Sequence, residues 1–130
     1  MFEKYIGKDV LLSNFNYSSM RFHSEMCEKN SFARYCSKFD KWGYEQILCG
    51  STWCWHLANK DNVRFGKNFL SEKSVKGYMS ASWLLTTKRK LYALMADAAN
   101  LGYAVEDIYA EPYLDKDINM AHTARKLFGK

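Results

Sequence analysis

Four side chains in two pairs have the types and spacing for metal or nucleophile chemistry. His23 and Cys27 stand four positions apart, so on a helix they share a face. Cys54 and His56 stand two apart, so on a strand they share a face as well. If the fold brought the pairs together, they would form a tetrahedral Cys2His2 zinc site. Neither pair has the common C-x2-4-C spacing, so zinc is the one cofactor the residues permit, and none is required. Cys54 beside His56 could also generate a thiolate nucleophile. Nothing marks a nucleophile elbow, an oxyanion hole or an orienting carboxylate, and the chain has no P-loop and no G-x-G-x-x-G. His122 reads as the polar surface of a helix. No motif specifies a reaction, so the expectation is a binding protein rather than an enzyme.

A second constellation mixes aromatic and basic side chains. Trp53, Trp55, Phe65 and Phe69 interleave with Lys60, Arg64 and Lys67, and the run Lys88, Arg89, Lys90 follows. Aromatic rings stack on bases and cations track phosphates. The net charge of +5 is uneven: residues 51–95 hold eight basic and two acidic side chains, whereas residues 96–130 hold four basic and six acidic ones. Such a field draws polyanions without naming one. The predicted partner is therefore nucleic acid, or an acidic or nucleic-acid-binding host protein. The contact is expected from Lys88, Arg89 and Lys90 first and from Arg64 and Lys67 second, with Lys60 in the same basic region and Trp53 and Trp55 as stacking surfaces. A helix-turn-helix over residues 94–110, with Gly102 in the turn, is a weaker alternative, since Glu106, Asp107 and Glu111 would face phosphates.

These residues need elements to position them. Val10, Leu11 and Leu12 suggest a short buried strand. Ser18 or Ser19 could cap a helix carrying Phe22, Met26 and Cys27. Ser31 could cap a second, in which Phe32, Tyr35, Cys36 and Phe39 follow the 3.6-residue period. Gly43 and Gly50 would bracket its frayed end. The β-formers Thr52, Trp53, Trp55, Val63 and Phe65, split by the turn-like cluster Asn59, Lys60, Asp61, Asn62, predict an antiparallel hairpin of strands near 52–58 and 63–66. Leu84, Leu91, Leu94, Met95, Ala98 and Leu101 predict a helix over 82–101, stopped by Gly102. Residues 103–109 read as a strand or a short helix. A last helix starts at Asp115 or Asp117.

The sum is an α+β fold with at least three helices packed on a small antiparallel sheet, built as one domain from 130 residues. The aromatic share of 16% supplies a substantial core or a partner surface. All four cysteines read as small buried residues kept reduced. The N-terminus Met1-Phe2-Glu3-Lys4-Tyr5 lacks a signal-peptide pattern and no apolar run spans a bilayer, so the expected location is the cytoplasm of the producing or infected cell, with no membrane partner.

Two functions from different classes follow. The first is a non-enzymatic binding protein whose basic face, residues 60–90, docks on nucleic acid or a nucleic-acid-handling complex. The second is a phage- or mobile-element-encoded inhibitor of a host defence or nucleic-acid-processing protein, of anti-CRISPR or anti-restriction type, acting by protein contact. That reading rests on the Lys/Asn/Tyr/Phe-rich style of the chain and on the acidic Glu106, Asp107, Glu111, Asp115 and Asp117. A Cys/His- or zinc-dependent enzyme is a third.

Overall fold

A computed structural model describes residues 2–18, 30–51, 58–83 and 87–106. In chain order the elements are α1 (Phe2–Tyr5), β1 (Leu11–Phe15), α2 (Ser31–Lys41), β2 (Glu45–Gly50), α3 (Ala58–Phe69), β3 (Val75–Ser80), a 3-10 turn (Lys88–Lys90) and α4 (Leu91–Glu106). Strands and long helices alternate. The three strands lie in the order β1-β2-β3 and both pairings are parallel. Parallel neighbours need a crossover, and α2 and α3 supply it.

The antiparallel hairpin is thereby overturned. Residues 63–66 sit inside α3, and residues 52–57 lie outside the described residues. The cluster that reads as a turn, Asn59 to Asn62, forms the first turns of a helix, where short polar side chains are equally at home. Asn59, Asn62, Val63 and Gly66 follow helical spacing and all are buried. Because two of the four are amides, the apolar stripe that announces a helix is missing.

β2 also replaces a predicted frayed end. Its upstream boundary is chemically explicit. Gly43 has φ of 74°, its N–H bonds Asp40 O at 2.8 Å, and Tyr44 N–H bonds Phe39 O at 2.9 Å. This is a Schellman stop for α2, and it turns the chain directly into the central strand. At its other end α2 is capped by Asn30, whose Oδ1 accepts from Ala33 N–H at 3.2 Å, one residue earlier than the predicted Ser31.

β1 begins one residue later than the apolar triplet suggests and is half-open: Leu12 and Asn14 are half-buried while Leu11 and Phe15 are exposed. The predicted 82–101 helix starts only at Leu91 and runs through Gly102 to Glu106. Gly102 is exposed within it, a tolerable cost of about 1 kcal/mol. An unbroken helix there removes the helix-turn-helix. The predicted helices after Ser18 and after Asp115 lie outside the described residues.

Ala33 and Cys36 of α2, Leu48 of β2, Phe65 of α3 and Leu70 form the core, flanked by Phe32, Val75 and Tyr78. Val63, Ala104, Leu101 and Tyr78 extend it to α4. Gln46 is a polar node within this layer. Its Nε2 donates to Cys36 O at 3.0 Å and Ser74 Oγ at 2.7 Å, and its Oε1 accepts from Asn14 Nδ2 at 2.7 Å. One side chain thus joins β1, α2 and the turn before β3. Alternation along β2 puts Gln46 and Leu48 under the helices and Ile47 and Cys49 on the opposite face.

Candidate functional site

Open parallel sheets bind ligands beyond the carboxyl ends of their strands. β1 ends into Asn16, β2 into Gly50 and Ser51, and β3 into Ser80 and Ala81. The first turns of α3 meet all three. Asn62 Nδ2 donates to Asn16 O at 3.1 Å and Cys49 O at 3.0 Å, and its Oδ1 accepts from Asn16 Nδ2 at 3.1 Å. Asn59 Nδ2 donates to Ser80 Oγ at 3.0 Å and to Asn100 Oδ1 of α4 at 3.2 Å. Asn59 Oδ1 is buried without a hydrogen-bond partner among the described residues. It packs over Gly50, where an added Cβ would meet it at 2.4 Å. Asp61, Asp97 and Ser51 are also buried here. The chemistry of this edge is amide hydrogen bonding that closes strand ends onto helix starts.

The face turned away from the helices is different. β1 presents Leu11, Ser13 and Phe15 there, β2 presents Ile47 and Cys49, and β3 presents Gly77 and Met79, following the pairing register. Leu11 is 47% exposed, Phe15 51% and Met79 39%, whereas Ile47 is half-buried and Cys49 fully buried, so this largely apolar face is exposed along its outer strands and covered at its centre. At the carboxyl end it continues into rings. Phe15 meets Tyr17 edge-on at 6.0 Å, and Tyr17 meets Trp83 edge-on at 5.9 Å. Trp83 is 62% exposed despite that contact. The acidic side chain on this face, Glu45 at the amino end, is paired with Lys76 at 3.0 Å.

The basic residues singled out by sequence divide between the two ends of the sheet. α4 runs alongside α3 in the same direction, because Asn59 touches Asn100, Val63 packs with Ala104 and Lys67 Nζ bonds Val105 O. With Asn100 level with the carboxyl edge, the start of α4 overhangs it by about 13 Å at 1.5 Å per residue. The 3-10 turn with exposed Lys88 and Lys90 lies at that outer end, with Arg89 between them in sequence. Lys60 sits in the first turn of α3, Arg64 and Lys67 one and two turns on, all three on one helical face. Lys67 is engaged with α4, and Lys76 belongs to the amino end. The stretch 60–90 is therefore not one continuous face; its carboxyl-end members are Lys60, Lys88 and Lys90.

Phe65 is fully buried, tilted against Phe32 at 6.0 Å and stacked on Phe69 at 5.8 Å, so it is core and not a surface for bases. Trp53, Trp55, Cys54, His56, His23, Cys27 and His122 lie outside the described residues. Among the described residues no three His, Cys, Asp or Glu side chains could hold a metal ion. Cys36 and Cys49 are buried and unbridged. Burial pushes the Cys36 thiol up to about 12 and raises that of Cys49, so both stay protonated at neutral pH and neither supplies a thiolate. No helix among the described residues is long and apolar enough to cross a membrane.

Phe15, Tyr17 and Trp83 were not singled out by sequence. The signal for the first two was present: Leu11, Ser13, Phe15 and Tyr17 recur at the strand period of two. Trp83 carries none. Comparison with known proteins finds no matching family model, curated protein or solved structure.

Proposed function

We propose that this is a non-enzymatic binding protein that docks on nucleic acid, with Lys88 and Lys90 of the 3-10 turn, Arg89 between them and Lys60 of α3 as its phosphate contacts. The observation that carries the reading is the exposure of Lys88 and Lys90 on a turn that projects past the sheet, in the chain's most positive third. Exposed lysines on a projecting turn are placed to contact phosphates. The buried, protonated thiols of Cys36 and Cys49 favour binding over covalent chemistry at these two residues.

The test is fluorescence anisotropy of labelled DNA and RNA across a salt series. Affinity should fall steeply with salt, and Lys88→Glu with Lys90→Glu should lower both the affinity and the steepness. Each lost phosphate contact should reduce the log–log slope by roughly 0.7–0.9. Absence of binding at low salt would remove the reading, and unchanged affinity in the charge-reversed protein would remove this site.

A further inference from the structure

Resting on that nucleic-acid reading, we infer that the two exposed rings at the carboxyl end of this sheet face, Phe15 and Trp83, form a stacking platform that takes the bases of single-stranded nucleic acid. The three long helices among the described residues pack on the other side of the sheet, and both rings are exposed on this one. Phe15 sits at the end of a strand paired along its length to β2, and the ladder runs on to Trp83's side through the Ala81 N–H bond to Gly50 O at 2.9 Å. Tyr17 touches both rings edge-on and fixes their spacing: separations of 6.0 and 5.9 Å keep Phe15 within about 12 Å of Trp83. Phe15 at 51% and Trp83 at 62% exposure keep about half or more of their surface in solvent beside Tyr17, and a base stacks on such exposed ring surface.

The chemistry selects the occupant. Exposed aromatic rings on a sheet hold two or three unpaired bases in known single-strand modules, because every base has a π-face. In a duplex those faces are already stacked on neighbours, so a flat ring-bearing sheet has nothing to hold. Charge agrees. Lys88 and Lys90 follow Trp83 by five and seven positions, and the face's acidic side chain, Glu45, stands at the far end beside Lys76. A strand laid across the carboxyl edge would stack on Phe15 and Trp83 and carry its phosphates toward the 3-10 turn. Leu11 and Met79 extend the same apolar surface for sugar and base edges.

The experiment compares labelled oligothymidylate, oligouridylate and a mixed duplex by anisotropy, using the full chain and the variants Phe15→Ala, Trp83→Ala, Trp83→Phe and Lys88→Glu/Lys90→Glu. Both rings are exposed, so the alanine variants should fold, with circular dichroism and melting as the control. Single strands should bind more tightly than the duplex. Each alanine change should weaken single-strand binding by about 5- to 150-fold, the range for loss of one stacked base, with the salt slope unchanged. Trp83→Phe should restore most of the affinity. The DNA and RNA arms decide which sugar is preferred. Equal binding of duplex and single strand, untouched by Phe15→Ala and Trp83→Ala, would overturn the platform and leave the nucleic-acid reading standing. No binding of any nucleic acid would overturn both. Self-association that Trp83→Ala abolishes, without nucleic-acid binding, would assign the face to a second copy of the chain instead.

Discussion

Asn16 and Asn62 exchange hydrogen bonds across the carboxyl edge: Asn16 Nδ2 donates to Asn62 Oδ1 and Asn62 Nδ2 donates back to Asn16 O, each at 3.1 Å. The second proton of Asn62 Nδ2 reaches Cys49 O at 3.0 Å. One amide thus ties the ends of β1 and β2 to α3. Asn62→Ala would strip Asn16 of a partner for both its side chain and its carbonyl. Each buried polar group left unpaired costs about 1–3 kcal/mol. The variant should lose about 2–4 kcal/mol in urea denaturation, with an unchanged m-value. A loss below about 0.5 kcal/mol would show that water replaces the amide.

Two glycines set the approach of α3 to the sheet. A Cβ on Gly50 would meet Asn59 Oδ1 at 2.4 Å and the backbone N and Cα of Asn59 at 2.9 Å. Side-chain motion cannot relieve a backbone clash, so Gly50→Ala should push α3 off the edge. A Cβ on Gly66 would meet Tyr78 Oη at 2.5 Å and Leu48 Cδ1 at 2.9 Å, both ends of side chains. Gly66→Ala should therefore cost about 1–3 kcal/mol, the usual range for overpacking, and Gly50→Ala more. Thermal melts of the two variants side by side check the order.

The Cys36 thiol predicts a pH dependence. Its value is raised by burial from 9.0 to about 12, so the folded state keeps the proton after the unfolded state has lost it. Stability is unaffected by this group below pH 9. It falls as pH rises from there toward 12, by at most about 1.4 kcal/mol per pH unit. Cys36→Ala should flatten that decline relative to the parent, whatever its own cost at neutral pH. Parallel denaturation curves for the two proteins between neutral and alkaline pH are the measurement, and identical alkaline slopes would contradict it.

Tyr44 is fully buried, yet its hydroxyl donates to Ile6 O at 2.6 Å, and Lys8 Nζ stands 3.8 Å above its ring. Tyr44→Phe should remove the first contact and keep the second. The expected loss is about 0.5–1.5 kcal/mol. Faster amide exchange should be confined to residues 2–9, which hydrogen-exchange mass spectrometry resolves.

α2 was legible because apolar residues recur at the helical period, although Tyr35 points outward and Ala33 takes its place inside. The α3 segment was not, because Asn59, Asp61 and Asn62 occupy buried positions where the pattern requires apolar ones. Read without that context, Val63 and Phe65 favour a strand. β2 was hidden for a related reason: a short strand covered by helices and carrying Gln46 and Gly50 shows neither alternation nor a clean apolar run. The exposed lysines of the 3-10 turn were found by charge alone. Their separation from Lys76 follows from the parallel topology, which local composition does not encode. Phe15 ends one edge strand and Trp83 follows three residues after the other, and no local window contains both.

The order β1-β2-β3 repeats the order of the chain. Among the described strands, none has to be slipped between two that are already paired. A ribosome releases this sequence amino end first, and each strand can join the rim left by its predecessor as it emerges. These three strands can therefore be laid down in order during synthesis, with the free rim of β2 waiting for Val75–Ser80.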